Sequence, residues 1–131
     1  DTYGMLYNWY AVDNSSGLCP QGWHVPTNSE FGDLTTELGS NPAAKLKETG
    51  TVHWSSESTG TSNSSGFTAL PAGLRQHYNG VYLNLRNYTY FWTSSSSTYA
   101  TYRYLSHNSS GSFGSGSAIK VYGFSIRCLE D

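Results

Sequence analysis

The sequence predicts an α+β domain with antiparallel sheet, and three observations carry that reading. The helix signals all fall in the first third, where Thr27 and Glu30 have the spacing of a capping box and Pro42 follows Asn41. Beyond residue 66 the chain breaks into short apolar pieces separated by turn residues, each too short for a helix. One piece, Tyr99–Leu105, alternates as a strand does. It sets Ala100, Tyr102 and Tyr104 on one face and Tyr99, Thr101, Arg103 and Leu105 on the other. With 131 residues the chain is read as a single domain, 1–131, large enough to bury a core without depending on cross-links.

The elements follow in order. Tyr3–Val12 is aromatic and reads as a strand, and Asp13–Gly17 as a turn. A helix is expected after Thr27, with Phe31, Leu34 and Leu38 on its inner stripe and Gly39 as its stop. A shorter helix is expected from Pro42 to Glu48, capped by Asn41 and ended by Gly50. Residues 55–66 form a polar loop, too short and too internal for a domain linker. Strands are then expected at Phe67–Leu70, Val81–Leu85, Tyr88–Thr93, Tyr99–Leu105, Ala118–Tyr122 and Phe124–Leu129. The terminal strands are expected to pair. Trp23, Trp92, Phe124 and Leu34 are the expected core residues, whereas Trp54 lies outside the apolar frame and is the candidate for an exposed tryptophan.

Composition points to recognition rather than chemistry. No Asp or Glu occurs between Ser58 and Leu129, while residues 74–122 hold eight Tyr, ten Ser and four Asn. Tyr offers a large, rigid, amphipathic contact, and Ser, Gly and Asn supply adaptable hydrogen bonds. The missing carboxylates remove the usual acid–base groups and hard-cation ligands from the part of the chain richest in aromatics. Net charge is −2, with seven acids in residues 1–57 and only Arg75, Arg86, Arg103, Lys120 and Arg127 in residues 58–129. Five dispersed cations are too few for a nucleic-acid footprint, so no nucleic-acid partner is expected. No apolar run is long enough to span a membrane, and no signal peptide is present; the start at Asp1 is read as a mature form or an excised domain.

Cys19 and Cys128 lie near opposite ends, without the close spacing that zinc requires. The favoured reading is a disulfide, which implies an oxidising compartment; the alternative is two buried free thiols. His24, His53, His77 and His107 are isolated in sequence, so no metal cluster is expected, and no cofactor. No Gly-x-Ser-x-Gly elbow is present, and Glu30, Asp33, Glu37 and Glu48 belong to solvated helix faces rather than to a glycosidase pair, so no catalytic residue is assigned.

Several segments, in order, closely resemble the Fibrobacter succinogenes major paralogous domain: Leu6–Val12, Gly17–Pro26, Gly66–Gly73, Tyr90–Ser95 and Gly123–Cys128. The resemblance spans nearly the whole chain. It implies a C-type lectin-like fold close to the formylglycine-generating-enzyme type, with two helices flanking small antiparallel sheets and long loops carrying the ligand site. In that fold the Cys19–Cys128 pair resembles the disulfide to the last strand. The calcium-binding Glu-Pro-Asn, Gln-Pro-Asp and Trp-Asn-Asp motifs of related lectins are absent, as are extra cysteines for the enzyme's chemistry. The second half also resembles the variable proteins of diversity-generating retroelements. Gly73, Arg75, Gly80, Arg86, Arg103 and Leu105 form a sparse frame among Tyr, Ser, Asn and His.

The expected function is non-enzymatic, metal-independent ligand binding of receptor or adhesin type. The expected contacts are Tyr78, Tyr82, Asn84, Tyr88, Tyr90, Tyr99, Tyr102, Tyr104, His107 and Asn108. The expected partner is a protein or a cell-surface glycan, met at a bacterial cell surface or a phage tip. The alternative is a structural or cell-envelope adhesion module without a hypervariable site.

Overall fold

A computed structural model describes residues 2–131 and is α+β, with short helices and small antiparallel sheets. The central sheet is three-stranded, in the order β4 (Tyr88–Ser96), β5 (Ala100–Ser106), β6 (Gly114–Ala118). Its two faces are covered differently. The inward face receives α2 (Asn28–Leu38) and α3 (Pro42–Leu46), and Phe31, Leu46, Trp54, Phe91, Leu105 and Phe113 form the larger core between them. On the other face Trp9, from the short helix α1 (Trp9–Val12), joins Trp92, Ala100 and Phe124 in a second core.

Helix α2 forms as its local chemistry dictates. The Thr27 hydroxyl accepts from the Glu30 amide, the Glu30 carboxylate accepts from the Thr27 amide, and Gly39 ends the helix at φ 66°. Phe31 is buried, while Leu34 is only partly so. Helix α3 does begin at Pro42, but Asn41 is left-handed and makes no side-chain cap bond, and the helix stops at Leu46.

Other sequence expectations change, and the expected strand Phe124–Leu129 reduces to bridges at Phe124 and Ser125 and a strand at Leu129–Glu130. Tyr3–Val12 is not a strand: Tyr7 makes a single bridge to Phe124, then the Asn8 side chain caps α1 by accepting from Ala11 N. Phe67–Leu70 contributes only an isolated bridge at Ala69, and Thr68 sits at φ 52°. Val81–Leu85 shrinks to β3 (Tyr82–Leu83), which pairs with β2 (Leu74–Arg75) and ends where Asn84 turns left-handed. The last strand of the central sheet lies at Gly114–Ala118 rather than Ala118–Tyr122. Two tryptophans also exchange roles. Trp23 is 44% exposed, because it lies on the peripheral two-residue ladder of β1 (Trp23–His24) and β7 (Leu129–Glu130). Trp54 is 1% exposed, its indole N–H donating to Ala69 O at 3.0 Å inside the larger core.

The chain ends do meet. Tyr7 bridges Phe124, β1 pairs with β7, and Cys19 and Cys128 are bonded with Cα atoms 5.8 Å apart. His24 extends this junction, its ring contacting Asp131 at 2.6 Å and Glu30 at 3.0 Å. The hydrogen bond the ring donates to Asp131, then that to Glu30, raises the His24 pKa above its usual 6.5. The loops beside the larger core are organised by Lys47, which is fully buried. Its ammonium donates to Ser58 Oγ, Ser106 O and Ser109 O at 2.7–2.8 Å and lies over Trp54. Burial pulls its pKa down to about 8. Among the described residues no helix is long and apolar enough to cross a membrane.

Candidate functional site

The strand alternation that drives Phe91, Arg103 and Leu105 inward turns Tyr88 and Tyr90 of β4, and Tyr102 and Tyr104 of β5, onto the opposite face. Register sets Tyr90 opposite Tyr104 and Trp92 opposite Tyr102. The four phenols form one cluster: Tyr88 stacks on Tyr90 at 5.8 Å, Tyr90 meets Tyr102 edge-on at 5.7 Å, and Tyr102 lies 6.2 Å from Tyr104. Phe124 is the hub beneath them, 5.2 Å from Tyr90, 5.0 Å from Tyr102 and 4.3 Å from Trp92.

The tyrosines can lie across the sheet because β6 has no side chains in their way. A Cβ on Gly114 would fall 2.3 Å from the Tyr104 ring, and one on Gly116 would fall 2.6 Å from the Tyr102 ring. Glycine here trades β propensity for close aromatic approach. Beside the cluster is an open depression of about 550 Å³, bordered by Tyr90, Tyr99, Tyr102, Tyr122, Phe124 and Ile119. Gln76 and the phenols give it polar groups, and Ser117 lies at its border. Burial raises the pKa of Tyr90 and of Tyr102, so both hydroxyls stay protonated donors. The Asn84 amide donates to the Tyr90 hydroxyl at 2.9 Å.

Four of the five cations in residues 58–129 are engaged away from the tyrosine cluster. Arg103 points inward, donating to Asn28 Oδ1 at 2.8 Å and lying against Phe113. Arg127 covers Phe67, and Arg86 donates to the carbonyls of Thr51 and Val52. Lys120 lies 4.6 Å over Trp9. What remains is a face of aromatic rings, hydroxyls and amides, suited to stacking and hydrogen bonding.

Of the ten residues singled out from sequence, this arrangement gathers Asn84, Tyr88, Tyr90, Tyr99, Tyr102 and Tyr104. Tyr78 is exposed and reaches the cluster only through His77, whose ring meets both Tyr78 and Tyr122. Tyr82 is exposed beside a separate depression with Tyr3, Met5, Leu6 and Leu85. His107 and Asn108 lie beyond the end of β5, where the His107 ring bonds Ser56 Oγ at 2.7 Å and Asn108 Oδ1 accepts from Ser106 Oγ at 2.6 Å. Sequence reasoning missed Phe124 as the floor, Tyr122 and Ile119 as walls, and Gly114 and Gly116 as the residues that admit the rings. The Gly114-Ser115-Gly116-Ser117 alternation opposite a Tyr-x-Tyr strand was the available signal.

The Fibrobacter succinogenes major domain family model matches residues 1–130, and the chain belongs to that family. Neither a curated protein nor a solved structure gives a match.

Proposed function

We propose that this member of the family is a non-enzymatic, metal-independent ligand-binding domain of receptor or adhesin type, built on a C-type lectin-like fold, and that its ligand meets the tyrosine face. The observation that carries the reading is the convergence of Tyr90, Tyr99, Tyr102 and Tyr122 on one depression floored by Phe124. Rigid aromatic anchors around a concave surface, with adaptable hydroxyl and amide groups beside them, are the composition of a recognition surface. The absence of Asp and Glu from residues 59–129 supports binding without calcium. The Cys19–Cys128 bond supports a site outside the cytoplasm, at a bacterial cell surface or phage tip, with a protein or cell-surface glycan as partner. The Tyr/Ser/Asn-rich stretch of residues 74–122 is read as the variable region of a diversity-generating retroelement.

The test is a parallel screen of the intact domain against arrayed glycans and displayed polypeptides, with and without chelator. Binding that survives chelator and is lost in a Tyr99→Ala/Tyr102→Ala variant that still melts cooperatively is the expected result. A domain that binds nothing, or binds equally well without these rings, defeats the reading in favour of an envelope structural module. The variable-region reading has its own test in the encoding DNA: a near-copy template differing at adenines, next to a reverse transcriptase.

A further inference from the structure

The two edges of the central sheet are unequal. On the outer side of β4 the backbone is covered, with Gly73 N donating to Tyr88 O at 2.8 Å, Ser125 N to Tyr90 O at 2.9 Å and Trp92 N to Ser125 O at 3.1 Å. These bonds also fix the parity of the ladder. Tyr88, Tyr90 and Trp92 direct their backbone groups away from β5, so Thr89 and Phe91 direct theirs towards it. In β5, Arg103 and Leu105 therefore face β4, while Ala100, Tyr102 and Tyr104 face β6. In β6, Gly114, Gly116 and Ala118 complete that ladder, and Ser115 and Ser117 direct their N–H and C=O groups outward. Among the described residues nothing hydrogen-bonds to those four groups.

Sheet edges are usually protected by charge, proline, a bulge or a covering element. Gly114–Ala118 holds no charged residue and no proline, and its register with β5 is unbroken. Its end also borders the aromatic depression, since Ser117, Ala118 and Ile119 line it with Tyr99 and Tyr102.

We infer that the ligand of the tyrosine face is an extended polypeptide segment that adds as a strand to the outer edge of β6. This rests on the binding-surface reading above and narrows its ligand to protein. The chemical complement of two residues presenting alternate N–H and C=O groups is another peptide backbone, which a glycan does not reproduce. A strand added there has side chains alternating between the two faces of the sheet. One set projects beside the rings of Tyr102 and Tyr104 and towards the depression; the other lies beside the exposed Ser115 and Ser117 hydroxyls. A second copy of the domain is a poorer occupant, because five residues of small side chains bury too little surface for a stable dimer.

The experiment is selection of short random linear peptides on the intact domain, followed by affinity measurement with two independent perturbations. Ser115→Pro and Ser117→Pro each remove an outward N–H without removing a β5 ladder bond. N-methylation of the peptide blocks its backbone one residue at a time and leaves the domain untouched. The expected result is a loss of about tenfold or more for each proline variant, at an unchanged melting temperature. N-methylation should abolish binding at alternate peptide residues only. Failure to select any peptide with this alternating sensitivity overturns the inference, as does dimerisation of the free domain that Ser117→Pro abolishes. Tyrosine-dependent glycan binding without peptide binding also overturns it, while leaving the tyrosine-face reading intact.

Discussion

The two faces of the central sheet are built from the same three strands and differ in what closes them. The inward face ends in solid packing: Phe91 and Leu105 meet Phe31, Leu46, Trp54 and Phe113, and Arg103 is tied to the start of α2. The outward face is closed only at one end, by Trp9, Trp92 and Phe124, and then opens into tyrosines that are half-buried at Tyr90 and Tyr102 and exposed at Tyr99. The difference lies in the side chains facing each side. Aliphatic and Phe side chains can be enclosed completely, whereas each phenol hydroxyl needs a partner, and solvent supplies it on the open face. Solid packing and an open aromatic surface are thereby separated across one sheet thickness.

The largest effects expected from breaking this comparison lie in the closed regions. Truncating Trp54 or Trp92 to Ala should cost about 3–5 kcal/mol in chemical denaturation, because each is fully enclosed. Trp23→Ala, by contrast, should cost under about 1 kcal/mol, since its side chain is already part-solvated. Next is Lys47→Met, which strips a buried carbonyl, a part-buried carbonyl and a hydroxyl of their donor; a loss of about 3 kcal/mol is expected, with little change at the tyrosine face.

The open face should itself be graded. Tyr90→Ala removes a ring stacked on Phe124 and should cost about 2 kcal/mol, whereas Tyr99→Ala and Tyr78→Ala should stay within about 0.5 kcal/mol. Equal costs would mean that the tyrosines form a core rather than a surface. The smallest effect is electrostatic. Below about 6.5 the His24 contribution is fully present, and it is lost as pH rises through the raised folded value. Glu30 is held below its usual 4.5 by the Thr27 amide and then by His24, so its contribution is present above about 4.5 and lost as pH falls through the lowered folded value. Melting temperature from this pair should therefore peak between those limits, and His24→Gln should flatten its alkaline side.

Local chemistry was legible in the sequence. The bounds of α2 follow from Thr27, Glu30 and Gly39, and the facing of β5 follows from its alternation, because both depend on residues within a few positions of one another. The meeting of the chain ends and the carboxylate-free character of the tyrosine strands were legible too. Tertiary structure alone decided which tryptophan is enclosed, and that Lys47 organises two loops. It also drew Tyr90 and Tyr102 onto Phe124 while placing Tyr82 and His107 elsewhere. Gly114 and Gly116 fall outside every strand expected from sequence, yet Tyr104 and Tyr102 lie across them. Burial and ring packing are set by partners distant in sequence, as when Trp9 donates to Thr93 O and Arg103 to Asn28 Oδ1, and no local pattern encodes which partner arrives.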